Sequence, residues 1–199
     1  MRDSNVNFNV LNKRIRACDI CKVHLPLGAN PIFQAHPDAR ILVAAQAPGI
    51  RAHRTSQTFN DASGDRLRAW MGVDRARFYD PLKIAIVPMG FCYPGSAARG
   101  DLPPRPECAA AWRAQLLAAL PRIELTLVIG IHAQRYHLGG ARKANLTETV
   151  RQWRDYWPRY VPLPHPSPRN NGWLNKNPWF GAQLLTELRG AVARLLGEG

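Results

Sequence analysis

The stretch ARILVAAQAPG, residues 39–49, decides the fold class of this chain. It opens with a continuous apolar run and closes on the tripeptide APG, which predicts a buried strand that enters a loop. The same pattern recurs in KIAIVPMG (83–90) and LTLVIG (125–130), and YVPLPHP (160–166) begins as a fourth strand. Strands that are apolar throughout are typical of a parallel sheet covered on both faces.

Helical segments separate these strands along the chain. Helical periodicity is present in residues 64–71, 107–120 and 146–157, and a last helix is expected to begin at Lys176 or Asn177. The alternation of strand and helix predicts an α/β fold, in which a parallel sheet carries helices on both of its faces.

Three unusual segments follow predicted strands, namely residues 46–49, 88–91 and 165–168. In open parallel sheets, ligands bind at the carboxyl ends of the strands. We therefore expect these three segments, although distant in sequence, to surround one cleft.

The composition is strongly basic, with 27 Lys and Arg against 14 Asp and Glu and a net charge of +13. This excess favours a polyanionic partner, nucleic acid first and an anionic membrane surface second. A genomic preference for Arg and Ala accounts for part of it but not for the shortage of acids. The length of 199 residues predicts a single domain, 1–199. Because the sequence has neither a transmembrane-length apolar run nor the apolar core of a signal peptide, we expect a cytoplasmic protein.

Four cysteines, Cys18, Cys21, Cys92 and Cys108, have the spacing C-x2-C followed by C-x15-C. We expect the first pair to lie on an N-terminal helix. In a cytoplasmic protein these thiols are better suited to a metal centre, zinc or iron–sulfur, than to disulfides. Four unliganded buried thiols are the alternative.

Several motifs, in order along the chain, resemble the uracil-DNA glycosylase superfamily, and most closely its iron–sulfur branches, families four and five. The first motif of these branches, Gly-Glu-Ala-Pro-Gly, corresponds to AQAPG at 45–49, and their last, His-Pro-Ser-Pro, stands at 165–168. TFNDASGDRL, residues 58–67, is similar to the segment of family five that has a functional aspartate. The cysteine spacing also matches, so the resemblance extends from about residue 18 to residue 180.

The resemblance implies a three-layer α/β/α sandwich with a central four-stranded, mostly parallel sheet. It implies a DNA glycosylase that hydrolyses the glycosidic bond to a damaged base, usually uracil, and we expect a monomer. Because no lysine stands out as an imine-forming nucleophile, we expect the enzyme to be monofunctional. It also implies a structural [4Fe–4S] cluster on Cys18, Cys21, Cys92 and Cys108, with zinc or no metal as the alternatives. The competing functions are a nucleic-acid-binding relative that has lost catalysis and a small-molecule or nucleotide hydrolase of the same fold.

Glycosylase chemistry needs a base-stacking aromatic, a negative or water-orienting group near the sugar, and a donor for the departing base. Phe59 is the aromatic candidate and His165 the donor. Asp61 is the candidate carboxylate, and Asp65, in the first turn of a predicted helix, is its competitor. Gln46 stands where family four has an acid; it can orient water or the base but cannot take a proton at neutral pH.

The remaining candidates line the base pocket or contact DNA. The candidate pocket residues are Ala47, Pro48, Gly49, Met89 and Gly90, and the candidate DNA-binding residues are Arg51, His53, Arg54, Ser167, Arg169 and Asn170. Many families have an asparagine after the second strand, whereas this chain reads PMGF there. We therefore expect a broader range of deaminated bases than uracil alone, with backbone groups near Met89 and Gly90 reading the base.

Overall fold

The computed structural model describes residues 2–98 and 100–197, and a four-stranded parallel sheet lies at its centre. The strands are β1 (Ile41–Ala44), β2 (Ile84–Ile86), β3 (Ser96–Ala97), β4 (Gly100–Asp101), β5 (Leu125–Ile129) and β6 (Tyr160–Leu163). The sheet has the order β2-β1-β5-β6, with every neighbouring pair parallel, and β3 and β4 form a separate antiparallel hairpin. The prediction of a parallel sheet is confirmed.

Helices fill the connections between the strands. They are α1 (Arg2–Arg16), α2 (Ile50–Thr55), α3 (Ala62–Met71), α4 (Arg75–Phe78), α5 (Pro106–Cys108), α6 (Ala114–Ala118), α7 (Gly130–Leu138), α8 (Leu146–Arg151), α9 (Asn171–Lys176) and α10 (Thr186–Leu196). π-Helical turns at Ala109–Arg113 and Phe180–Leu185 lead into α6 and α10. None of the helices in the described residues is long and apolar enough to span a bilayer.

The two faces of the sheet are buried in two separate cores. Ile41 and Val43 of β1 pack with residues of α3 and α10, whereas Leu42, between them, packs with residues of α1 and α6. Successive side chains of a strand point to opposite faces, so this division gives helix, sheet and helix layers. The three-layer α/β/α architecture is therefore the observed one.

Two predicted helices have different bounds in the structure. The N-terminal helix ends at Arg16, so Cys18 and Cys21 follow it rather than lie on it. The helix expected over 146–157 ends at Arg151, and a 3-10 turn follows at Trp153–Asp155. Sequence periodicity cannot register this break, because the apolar residues after it keep a spacing that a helix would also allow.

A buried arginine binds the main chain just after β2. Arg113 is fully buried, and its Nη1 donates to the carbonyl oxygens of Val87 at 3.1 Å and Pro88 at 2.9 Å. Its Nη2 lies 2.6 Å from His137 Nε2. Since a guanidinium has no acceptor, His137 Nε2 accepts and the imidazole is neutral. Burial, together with the nearby Arg113 charge, lowers the pKa of His137 to about 3.

Candidate active site

A cleft of about 650 Å³ opens at the carboxyl ends of the strands, and its volume suits a ligand of nucleotide size. The predicted residues that line it are Gln46, Ala47, Pro48, Gly49, Arg51, Phe59, Asp61, His165, Ser167, Arg169 and Asn170. The first and last motifs and the segment between them, far apart in sequence, therefore surround one cavity, as expected from the parallel sheet.

The loop that carries Phe59 has a strained and closely packed backbone. Phe59 has φ +52°, a conformation that residues other than glycine rarely adopt. The hydroxyl of Tyr79 donates to the carbonyl oxygens of Thr58 and Phe59, at 2.9 and 3.0 Å. A Cβ atom on Gly64 would lie 1.7 Å from the Phe59 carbonyl oxygen, so only glycine fits there. These contacts fix the half-buried Phe59 ring at the cleft wall.

Asp61 and Asp65 have separate roles in the structure. Asp61 is the N-cap of α3: its Oδ1 accepts from the Gly64 amide at 3.0 Å, while the side chain borders the cleft. Asp65 has a side chain that is 76% exposed and pairs with Arg68 at 2.5 Å, outside the cleft lining. The placement therefore favours Asp61 over Asp65 as the carboxylate of the site, and it is Asp61 that supplies the cap.

His165 is neutral, with a defined tautomer. Its Nδ1 accepts from the backbone N–H of Ser167 at 3.2 Å, so the ring proton lies on Nε2. Burial lowers the pKa of His165, and the carboxylates of Asp61 and Asp101 oppose this shift. At neutral pH the imidazole is thus an uncharged hydrogen-bond donor at the cleft.

Hydrogen bonds from two directions hold the His165 loop. Arg66 of α3 donates from Nη1 to the Ser167 carbonyl oxygen at 3.0 Å and from Nη2 to Asn171 Oδ1 at 2.7 Å. Asn170 Nδ2 donates to the His165 carbonyl oxygen at 2.7 Å. The loop is therefore pinned to the same helix that Asp61 caps, which fixes the geometry between the two candidate groups.

Asp101 is a second carboxylate that borders the cleft, and it is absent from the residues predicted from sequence. It ends the β3–β4 hairpin, within a stretch rich in Gly and Pro that the sequence shows only as loop. The available signal was a carboxylate in the long connection that follows β2, since loops at the carboxyl ends of parallel strands are where ligands bind.

Four predicted residues lie away from the cleft surface. Met89 and Gly90 are buried behind its wall, and their N–H groups donate to the carbonyl oxygens of Ala45 and Gln46, at 2.8 and 3.0 Å. Those amides are therefore occupied by the main chain, and the cleft wall at this point is Pro88. The other two, on α2, are His53 and Arg54, which are outside the cleft lining.

The four cysteines are free thiols from three segments of the chain. Cys18 and Cys21 lie in the loop after α1, Cys92 follows β2, and Cys108 ends α5. Burial, with a smaller effect from the neighbouring thiols, raises the pKa of Cys92 to about 11 and that of Cys108 to about 12. Across residues 2–98 and 100–197, no group of three or more His, Cys, Asp or Glu side chains could hold a metal ion as placed.

Two of these sulfurs accept hydrogen bonds. The indole Nε1 of Trp112 lies 3.1 Å from Cys18 Sγ, and the backbone N–H of Phe91 lies 3.3 Å from Cys108 Sγ. N–H donors directed at sulfur are one of the means by which proteins stabilise thiolates in iron–sulfur centres.

Comparison with protein families identifies a match. The family described as "Uracil DNA glycosylase superfamily" matches residues 33–189, which is more than half of the chain. The matched span contains the whole central sheet and every residue that lines the cleft. It begins after Cys18 and Cys21.

Proposed function

Because the chain belongs to the uracil-DNA glycosylase superfamily, we propose that it hydrolyses the N-glycosidic bond of deaminated bases in DNA, uracil first among them. This reaction would begin base excision repair. The observation that best supports the proposal is the pairing, in one cleft, of a neutral His165 with the carboxylate of Asp61. His165 can donate a hydrogen bond to the base, which departs with negative charge, and the Asp61 carboxylate can stabilise the positive charge on the sugar.

The base must leave the helix and enter the cleft before the bond breaks. Phe59 is the stacking surface, because its half-buried ring borders the cleft and packs edge-on against Phe78 at 6.1 Å between centroids. Because the Phe59 loop is already held in place, little conformational entropy is lost when a base stacks on the ring.

Bond cleavage leaves an electron pair on the base and positive charge on the sugar. His165 Nε2–H donates to an oxygen of the departing base and so stabilises its negative charge. Asp61 borders the same cleft, and its carboxylate stabilises the cationic sugar. Gln46 donates from Nε2 to the Leu102 carbonyl oxygen at 3.4 Å, which leaves its Oε1 to orient a water or the base.

The reaction is a hydrolysis and needs no covalent enzyme intermediate. The C1′–N bond breaks, its electron pair leaves with the base, and the oxygen of water bonds to C1′. The proton lost by water balances the charge of the released base. The products are the free base and an abasic site in an intact strand.

DNA is held by arginines at the opening of the cleft and by the positive net charge of the chain. Arg51 and Arg169 border the opening, and the chain has a net charge of +13. Arginine binds phosphates through paired N–H groups, and each phosphate contact releases counterions. We expect the affinity for DNA to fall steeply as salt concentration rises, whereas a small-molecule hydrolase would show no such dependence.

We also propose that Cys18, Cys21, Cys92 and Cys108 hold a structural [4Fe–4S] cluster. The support is the set of four free thiols with N–H donors on two sulfurs. A cluster binds each thiolate through a different iron, so its sulfurs need not approach one another as the ligands of a single ion do. When bound, it would tie the N-terminal loop to the end of β2 and to α5 and supply no redox step.

Iron and acid-labile sulfide analysis of anaerobically purified protein tests this cofactor. Four irons and four sulfides per chain, with visible absorption lost in Cys92→Ser and Cys108→Ser, are the expected result. Stoichiometric zinc, or protein that folds fully without metal, would contradict it.

A cleavage assay tests the enzymatic proposal. Single- and double-stranded DNA containing uracil, hypoxanthine or xanthine is incubated with protein and then treated with alkali to reveal abasic sites. Wild type should release at least one of these bases. Asp61→Asn should be slower by about 100-fold, since it removes the charge but retains a good helix cap.

A second candidate function is DNA binding without catalysis, favoured by the one observation that Gln46 offers no acid at the end of β1. Tight, salt-sensitive DNA binding by wild type, with no base released from any of the three substrates, would select it. Equal rates for wild type and Asp61→Asn would instead retain the enzyme and remove Asp61 from its chemistry.

A further inference from the structure

The β3–β4 hairpin brings Asp101 over the first motif at the mouth of the cleft. A Cβ atom on Gly49 would lie 3.3 Å from Asp101 Oδ2, so this oxygen is close to Gly49 of the first motif. Asp101 borders the same cavity as Asp61 and His165. The cleft therefore has carboxylates from two independent segments, the N-terminus of α3 and the hairpin.

A chain of hydroxyl groups orients the Asp101 carboxylate. Ser96 Oγ donates to Asp101 Oδ1 at 2.8 Å, and the hydroxyl of the buried Tyr93 lies 2.6 Å from Ser96 Oγ. With Oδ1 held from the hairpin side, Oδ2 is the oxygen that faces the cleft.

We propose that Asp101 is a further catalytic residue, which binds and orients the water that attacks the sugar. The inference rests on the proposed glycosylase function. Asp61 caps α3 through Oδ1 and is already assigned to the cationic sugar, and Gln46 cannot take a proton. Asp101 is exposed and so reaches bulk water while its Oδ2 stays in the cleft.

The atoms and charges of the step balance with Asp101 as the proton acceptor. The C1′–N bond breaks, and its electron pair leaves with the base, whose oxygen is hydrogen-bonded by His165. The water oxygen bonds to C1′, and the proton that this water loses passes to Asp101 Oδ2. That proton then leaves to the released base or to solvent, which restores the carboxylate for the next turnover.

The test is Asp101→Asn, compared with Asp38→Asn as a charge-matched control. Asparagine retains an oxygen that accepts from Ser96, so the hairpin keeps its tether while the proton acceptor is lost. Asp38 lies before β1, at the opposite end of the sheet from the cleft, and its replacement changes the net charge equally. Each variant is assayed for single-turnover base release and for binding to DNA that contains 2′-fluoro-2′-deoxyuridine, which resists cleavage.

We expect Asp101→Asn to release base about 100-fold more slowly than wild type, while it binds the uncleavable DNA as tightly as Asp38→Asn does. Ser96→Ala, which retains the carboxylate but loosens it, should lose only about tenfold.

Unchanged base release by Asp101→Asn, with wild type active, would overturn this inference and leave the glycosylase function standing. So would a defect confined to binding, because Asp101 would then only contact DNA. If wild type itself released none of the three bases, the proposed function would fail, and the assignment to Asp101 would fail with it.

Discussion

Gly64 allows α3 to approach the backbone of Phe59 closely, and its replacement tests whether the Phe59 loop depends on that contact. In Gly64→Ala the new methyl would overlap the Phe59 carbonyl oxygen, since the two atoms would be only 1.7 Å apart. The loop must then shift, at a cost of about 1–3 kcal/mol in the free energy of unfolding. We expect a lower melting temperature and slower base release.

Gly181→Ala is the matched control for this substitution. Apart from the local backbone, no atom lies within 4 Å of a Cβ at that position, which is in a π-helical turn outside the cleft lining. Alanine there should leave the melting temperature unchanged or raise it. If Gly64→Ala melted at the same temperature as Gly181→Ala, the Phe59 loop would not depend on the close approach.

His165 sets the pH dependence of catalysis through its neutral form. Burial places the pKa of His165 below the ordinary value of 6.5, so the imidazole stays neutral at pH 7 and gains a proton only as the pH falls further. A protonated ring would break the Nδ1 contact with the Ser167 amide. We expect wild-type activity to persist at pH 6.5 and to decline below it.

Removal of the imidazole should be costly at every pH. His165→Ala loses the Nε2 donor, which is worth about 100-fold or more in the single-turnover rate. Binding to uncleavable DNA should change little, because the donor acts on charge that develops only as the bond breaks. Base release that remained at the wild-type rate would remove His165 from the chemistry.

The connection between α3 and the last motif is the clearest example of one element positioning another. Arg66 donates from α3 to Ser167 and Asn171. Arg66→Met keeps much of the side-chain length but deletes both bonds, so we expect base release to slow by about tenfold as the His165 loop loosens. Arg66→Lys, with one compact cation in place of the fork, should recover only part of the rate.

A matched measurement separates positioning from loss of DNA affinity. Arg122→Met removes an exposed cation that pairs with Asp38, away from the cleft. Both variants should bind DNA with a similar, small loss, and only Arg66→Met should slow the chemical step. Equal rates in the two variants would show that the Arg66 contacts do not position the loop.

The elements of the site were predictable to different degrees. Continuous apolar strands made the parallel sheet and the gathering of its carboxyl ends evident in the sequence. The β3–β4 hairpin was not evident, because two-residue strands in a Gly- and Pro-rich stretch have no periodicity. Helix α9, with the sequence NGWLNK, was hidden for a similar reason: it has few apolar residues to mark a face.

Side-chain placement is harder to predict than the elements. The rings of Trp173 and Trp179, which follow the last motif, pack against each other with 6.0 Å between centroids and against the core that contains Ile41 and Val43. Met89 and Gly90 are predicted at the cleft, yet their amides continue the pairing between the ends of β1 and β2. The sequence alone does not show at which residue the hydrogen bonds between neighbouring strands end.

Folding stability of the whole molecule should depend on His137. The Arg113 guanidinium and the rings of Tyr136 and Tyr160 surround this imidazole, and its pKa in the folded state is about 3. In the unfolded chain this histidine has an ordinary pKa near 6.5, so between about pH 6.5 and pH 3 it is protonated in the unfolded state but not in the folded state. This contribution to stability is present above pH 6.5 and is lost as the pH falls toward 3.

Urea unfolding between pH 7 and pH 4 measures this effect. The free energy of unfolding should fall by up to ~1.4 kcal/mol per pH unit from this group alone. His137→Gln retains an acceptor for Arg113 but does not titrate, so its curve should be flatter than that of wild type. Parallel curves for the two proteins would assign the acid sensitivity to other groups.

The N-terminal helix has a consequence for trimming the protein. Phe8, Leu11 and Ile15 of α1 are buried in the same core as Leu42 of the central strand, although the family match begins only at residue 33. A protein cut back to residues 33–189 would lose α1 and expose to water the apolar face of this core that α1 covers. Such a face is a site of self-association, so the shortened chain should precipitate rather than yield a minimal enzyme.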